Sequence, residues 1–275
     1  MRIGGLVGTG LYGHEDVNDV IADMSRMVRE NVGEMGLDDW SFSDDEITGG
    51  SLFGGSVEYL PNPSICIGVE FMPLSSEGGW DFRGEYSDPY EYWFERDNVD
   101  LEATGSLLST YLLYRRPLGD GPVALRVGGG VDYVAGAKLG YDCDMYVEYW
   151  YDYEWVSDVA GGRDEIEMEG RATFEASGSG FGFHGRGGIE YQMTERFMVV
   201  ADAALRLLEV KELELDDVGA WVDGESGEWV GMEEGKPLKW ACDEYGNHYF
   251  STEDGSKIGL DFGGLYLRLA AYLTF

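Results

Sequence analysis

The sequence predicts an all-β chain. Its fold class is an eight-stranded antiparallel up-and-down transmembrane β-barrel, with long extracellular loops and one amphipathic helix in the first of them. Three observations predict this. Val123 to Leu139 alternates without a break: Val123, Leu125, Val127, Val131, Tyr133 and Leu139 fall on one face, Arg126, Asp132 and Lys138 on the other. Successive strand side chains point to opposite faces, so one face is apolar and the other polar. The run exceeds the five or six residues of an ordinary strand (roughly) and satisfies the roughly nine to eleven that cross a bilayer. Seven further segments read the same way. The connections alternate short (61–63, 117–121, 194–195) and long (13–46, 75–99, 141–176, 211–256). With an even strand number, both termini fall at the short-turn, periplasmic end.

Composition is compatible with this class and narrows it. The chain has 275 residues, read as one domain over 1–275, with 42 glycines, 7 prolines and 14% aromatics. No apolar run of about eighteen residues appears, so no transmembrane helix is expected. The lipid face of a barrel uses only alternate residues and escapes that test. Acidic residues number 53 against 19 basic, a net charge of −34. That balance excludes nucleic acid and anionic membrane surfaces as partners, since both would be repelled. It also suits a salty habitat. Three cysteines are too few for a disulfide scaffold and lack metal-site spacing. No signal-peptide pattern opens the chain, so residue 1 is expected to begin the mature part.

In order, the first strand is 2–12. A helix over 16–32 follows, with Asp16 as N-cap, Val17, Val20, Ile21, Met24, Val28 and Val32 at helical spacing, and Gly33 closing it. Strands over 47–60 and 64–74 flank the Pro61-Asn62-Pro63 turn. A long acidic and aromatic loop is expected over 75–99. The strand over 100–116 is the least clear, because leucines occupy both faces from Leu107 onward. The fifth strand, 121–140, is expected to run on past the bilayer to Trp155 and to return through 165–176. The apolar phase changes parity between Phe174 and Phe181, which predicts a bulge near Gly178 to Gly180. Strands over 177–193 and 196–210 follow. Two hairpins, WVDGESGEWV and WACDEYGNHYF, sit in the loop over 211–256, and the last strand is 257–275.

The C-terminal phrase GGLYLRLAAYLTF ends in Phe275 with apolar residues at alternate positions. With YLLYRRP and RVGGGVDY, it resembles the small eight-stranded outer-membrane barrels of the OmpA and OmpW-like group. The resemblance spans nearly the whole chain as a pattern. It implies a Gram-negative outer membrane, contact with its lipid, and a porin-like form at the cell surface. It also implies that Phe275 belongs to the signal read by the barrel-insertion machinery.

The polar phase carries both signs: Glu58, Glu70, Arg126, Asp132, Lys138, Arg186, Glu190, Asp202, Arg206 and Arg268. Lone charges in a narrow interior are costly, so these are expected to pair. Eight strands leave an interior that side chains can fill, which predicts a plugged lumen rather than a pore. A soluble lipocalin-like barrel would invert the faces; few charges per strand and long runs of Gly and Leu favour lipid outside. Three function classes follow: a structural or surface-interaction barrel, a narrow channel for small or apolar solutes, and a lipid-modifying enzyme. The enzyme ranks last. His184 lies on the polar phase without a phase-matched serine, and His14 and His248 read as solvated loop residues.

Tyr149, Trp150, Tyr151, Tyr153 and Trp155 form one aromatic run, the residue types that give interfaces rigid contact area. They are the candidates for contact with neighbouring surface proteins or for self-assembly. Cys143 and Cys242 lie in two long loops where oxidation is allowed, and are expected to pair; Cys66 is expected to stay free. Asp38-Asp39, Asp44-Asp45-Glu46 and Asp216-Asp217 offer oxygen ligands to divalent cations only weakly, lacking the spacing of a calcium loop. No other cofactor is expected.

Overall fold

The computed structural model describes residues 1–35, 37, 39–88, 91–152, 163–222, 225–227, 232–243 and 248–275. The elements are β1 (Arg2–Gly13), α1 (Glu15–Met35), β2 (Asp39–Asp45), β3 (Thr48–Asn62), β4 (Ile65–Ser87), β5 (Glu91–Pro117), β6 (Val123–Asp152) and β7 (Arg163–Gln192). They continue with β8 (Phe197–Val210), β9 (Glu214–Val222), β10 (Glu225–Gly227), β11 (Lys239–Cys242), β12 (His248–Ser251), β13 (Ser256–Lys257), β14 (Leu260–Asp261) and β15 (Gly264–Thr274).

Antiparallel pairing runs from β1 through β3, β4, β5, β6, β7 and β8 to β15, and β15 pairs with β1. The ends of the chain meet where Phe275 N donates to Met1 O at 2.9 Å. Beyond this set, β2 lies along the outer part of β4 and β9 along the outer part of β7. The two hairpins read in the sequence form: Val222 pairs with Glu225 in β9–β10, and Cys242 with His248 in β11–β12.

Strand β4 shows how one strand serves two environments. Its outward odd positions change from Ile67, Val69 and Phe71 to Ser75, Glu77, Asp81 and Arg83. Its even positions stay inward and change the opposite way, from Cys66 and Glu70 to Met72, Leu74, Trp80 and Phe82. The lower part is thus apolar outside and polar inside, and the upper part is the reverse. That reversal is why the sequence reading of 75–99 as a loop fails. Residues 75–87 and 91–99 are the long outer halves of β4 and β5, in register from Leu74–Gly105 to Ser87–Tyr92.

The same reversal corrects the bulge. Strand β7 keeps its even residues inward from Phe174 to Glu190, so Phe174 and Phe181 differ by face and not by register. The extra residue lies opposite, in β6. Val134 pairs with Gly180 and Ala137 with Gly178, and Gly136 adopts φ +56°. That left-handed conformation suits glycine. Below the bulge the inward residues of β6 are even, above it they are odd. Lys138 therefore faces out, where its Nζ meets Glu175 Oε1 at 2.5 Å.

Other boundaries shift as well. The last strand begins at Gly264 rather than 257, preceded by the short β13 and β14. Strand β7 starts at Arg163, well before 177. The helix runs from Glu15 to Met35, through Gly33, with Glu15 and Asp16 in the first turn where the helix dipole favours acids. Asp16 is inside the helix and accepts from Gly259 N at 2.8 Å instead of capping. Val17, Val20 and Ile21 are buried in one cluster with Leu74, Leu101, Leu260 and Phe262. Asn18 bonds the backbone of Ile47 through both side-chain atoms, at 2.8 and 3.2 Å. Helix α1 therefore packs its apolar stripe against the upper interior.

Candidate functional site: the interior charge network

The lower interior holds six guanidiniums and five carboxylates in contact, among the described residues. Nearest the chain ends, Glu190 takes a two-pronged contact from Arg2 at 3.0 and 3.2 Å and another from Arg115 Nη2 at 2.6 Å. Glu58 is held by Arg126, by Arg2 at 3.5 Å and by the Tyr111 hydroxyl, which donates at 3.1 Å. At mid-height Glu70 bridges Arg186 at 3.1 Å, Arg206 at 3.3 Å and Arg268. Asp202 binds Arg186 and Arg268 from its two oxygens, at 2.8 and 2.6 Å.

Above these, Asp132 Oδ1 accepts from Ser109 Oγ at 2.5 Å and from Arg206 Nη1 at 2.5 Å, and His184 Nδ1 lies 2.9 Å away. Rings separate the layers. The Arg186 guanidinium sits 4.4 Å over Tyr111, and that of Arg206 4.8 Å over Tyr266. The residues are inside for a local reason: each occupies the inward phase of its strand, and the cross-strand registers Ser109–Asp132, Asp202–Arg268 and His184–Arg206 set them side by side.

Sequence and structure can be compared residue by residue. Glu58, Glu70, Arg126, Asp132, Arg186, Glu190, Asp202, Arg206 and Arg268 all lie in this network. Lys138 does not, as shown above. Arg2, Arg115, Ser109 and Tyr111 belong to it and were missed. Leu107 faces in and Leu108 faces out, which hid the phase of Ser109 and Tyr111. The register opposite Asp132 was the signal that could have found Ser109. A hydroxyl, a carboxylate and an imidazole thus meet, although the sequence offered His184 no matching serine.

The order of contacts is not that of an activated nucleophile. The Ser109 hydroxyl donates its hydrogen bond to Asp132 and not to the imidazole, and His184 Nε2 has no partner among the described residues.

The remaining sequence candidates are placed as follows. All three cysteines are free thiols, which corrects the expected pairing of Cys143 with Cys242. Cys143 faces the interior beside Tyr141, and burial pushes its thiol up to about 11. Cys242 is exposed at the end of β11 in a separate three-stranded sheet. His14 is not solvated: it is fully buried, with Nε2 3.1 Å from Ser76 Oγ, and burial lowers its imidazole to about 4. His248 stacks on Trp240 at 5.7 Å.

Within the aromatic run, Tyr149 lies on the inward phase of β6 and Trp150 on the outward phase, so they do not share a surface. Tyr151 is in β6, and Tyr153 and Trp155 lie outside the described residues. Among the described residues no group of three His, Cys, Asp or Glu side chains is placed to hold a metal. Asp38 lies outside them, while Asp44 and Asp45 pair along β4.

Residues 28–223, more than half of the sequence, match the family described as outer membrane protein beta-barrel domain. The chain belongs to that family. Its membership makes it a transmembrane β-barrel of the bacterial outer membrane, whose strands cross the bilayer with apolar residues such as Phe181, 74% exposed, and Leu207, 72% exposed. Among solved structures, the outer membrane protease OmpT from Escherichia coli matches at 10% identity and a TM-score of 0.30, covering 100% of this chain and 94% of that one. No curated protein matches.

Proposed function

We propose that this outer-membrane barrel is a non-enzymatic scaffold. Eight long strands close around a plugged interior, and an acidic, aromatic cap above the bilayer serves structural or surface-interaction roles. The ring of eight mutual pairings supports closure, and the apolar lower exterior supports lipid as its surroundings. Both termini lie at the end with the short turns, which we assign to the periplasm, and the long hairpins then project outside the cell. Phe275 and the alternating Leu265, Leu267, Leu269 and Leu273 are the face offered to the insertion machinery. The reading as one folding domain rests on α1, β9, β11, β12 and β14 packing onto the same core as the eight strands.

One observation carries the plugged reading: every carboxylate of the interior network is paired with at least one guanidinium. A conducting pore presents unpaired polar groups to water along a continuous path. Here each carboxylate already holds between one and three guanidiniums, and an apolar layer with α1 lies above them. Planar-bilayer recording of the purified protein tests this. No steady conductance is expected, and an ion-selective current abolished by an Arg126 substitution would overturn the reading. The interaction role is tested by deleting the Tyr146–Trp155 tip in the native host. We expect altered surface organisation or adhesion. Unchanged organisation, adhesion and envelope integrity would remove the role.

A further inference from the structure

The outer face of the projecting sheet carries a pattern that the plug does not use. On β5, Tyr92 and Phe94 point outward, and on β6, Tyr146 and Trp150 do the same. The registers put Tyr92 opposite Trp150, and their rings stack at 6.3 Å and 17°. Phe94 meets Tyr146 edge-on at 5.9 Å. Four rings on adjoining strands thus make one patch, instead of being buried in the cap. Arg83 and Arg96 border it towards β4, and carboxylates frame it towards β7. Glu148 stands opposite Phe94, and on β7 Glu165, Glu167 and Glu169 stand opposite Trp150, Glu148 and Tyr146. The Tyr146 hydroxyl donates to Glu167 at 3.0 Å.

A ring face is electron-rich and attracts cations, the more so beside carboxylates. The patch already shows this preference within its own chain: the Arg83 guanidinium lies 5.3 Å over the Phe94 ring while remaining 58% exposed. The Tyr92–Trp150 pair lies beside it, two residues further along both strands.

We propose that this face is a docking surface for an arginine- or lysine-rich segment of a partner polypeptide. Its cations would lie over the Tyr92–Trp150 pair and against Glu148 and Glu167. The assignment rests on the surface-interaction reading above and adds the partner's chemistry to it. Charge complementarity selects the occupant. At −34 the molecule repels acidic chains and draws basic ones from a distance, and the rings supply contact that simple attraction lacks. A second copy of this acidic chain is disfavoured for the same reason.

The test titrates hexa-arginine into the full-length protein in neutral detergent, with hexa-glutamate as control. Binding to hexa-arginine alone is expected, weakened by added salt. It should fall about tenfold in Tyr92→Leu/Trp150→Leu, which leaves every charge in place. It should also fall in Glu148→Gln/Glu167→Gln. Heat-modifiable gel migration confirms that each variant is folded. Equal binding by the ring variant would reduce the effect to general attraction and overturn the proposal, as would absence of binding. The tip deletion keeps the two readings apart. A deletion phenotype with no hexa-arginine binding rejects the cationic partner alone, and no deletion phenotype rejects the interaction role itself.

Discussion

At the scale of single residues, the interior is a set of shared partners rather than separate pairs. Asp132 illustrates the consequence. One of its oxygens serves Ser109, Arg206 and His184, all of them buried. A buried ion loses several kcal/mol of hydration, so its contribution depends on keeping every partner. Truncating Asp132 to Ala leaves Arg206 with Glu70 as its remaining carboxylate and leaves His184 Nδ1 without an acceptor. We expect Asp132→Ala to destabilise the folded barrel by about 3–5 kcal/mol, read as a lower urea midpoint of the heat-modifiable form in detergent micelles. Lys138→Ala breaks a pair that is half exposed on both sides, and there the midpoint should not move. If the two variants behaved alike, the interior network would have no special energetic role. The contrast separates two residues that the sequence had put in one group.

At the scale of elements, the strands were legible where the exposed face is apolar. Val123–Val134 and Phe181–Tyr191 alternate cleanly because lipid takes one face and charges take the other. Legibility ended where the faces exchange character. Residues 75–87 carry Ser75, Glu77, Asp81 and Arg83 outward and Trp80 and Phe82 inward, so the expected signature was absent although the strand continued. Gly136 was unreadable for another reason: an added residue changes the parity of everything beyond it, and its neighbours are themselves small. Among the network residues, most of those in clean strands were found, Arg2 at the very start of β1 was not, and Ser109 and Tyr111 were lost among leucines on both faces.

The projecting part of β5 also holds a prediction. Glu95 and Asp97 sit on its inward phase, in register with Val147 and Met145 on β6 and with Gly84 and Phe82 on β4. Tyr141, Cys143 and Tyr149 are the titratable residues on the same phase of β6, Tyr86 on that of β4, and none is basic. Burial, and then Asp97, pushes Glu95 up to about 7, and burial pushes Asp97 up to about 6. Raised carboxyl pKa values mean that the folded hairpin holds protons more tightly than the unfolded chain. Its added stability is therefore complete below the ordinary carboxyl range and is lost as pH rises from about 4.5 to 7. Both side chains are partly exposed, so we expect about 1–2 kcal/mol rather than the full shift. Hydrogen exchange of the β5–β6 tip, corrected for intrinsic rate, should slow at acid pH, and Glu95→Gln should flatten that dependence by protecting the tip at pH 8. An unchanged profile in the variant would sink the assignment.

At the scale of the whole molecule, the plugged barrel we propose has its interior closed twice by different physics. The lower tier is ionic: its five carboxylates are all paired with guanidiniums, and the strands around it are apolar outside. The upper tier is apolar, built from Met72, Leu74, Leu101, Leu139 and Phe262 around the buried stripe of α1. Each tier blocks water by its own means, the first by pairing and the second by dryness. A change in one tier should therefore leave the other sealed. Arg126→Ser frees Glu58 from one partner but leaves Arg2 and Tyr111 in place, with the apolar tier intact above. Replacing Val17, Val20 and Ile21 by Ser loosens α1 but leaves Glu70 and Asp202 clamped by Arg186, Arg206 and Arg268. We expect each variant, reconstituted in planar bilayers, to stay at the baseline conductance of the parent, and only their combination to give frequent openings. Folding of all three is followed by heat-modifiable migration, so that silence is not mistaken for absence of inserted barrel. Steady current from Arg126→Ser alone would mean that the upper tier is already open to water, and a silent combination would mean that the ionic tier closes the barrel without help from the helix.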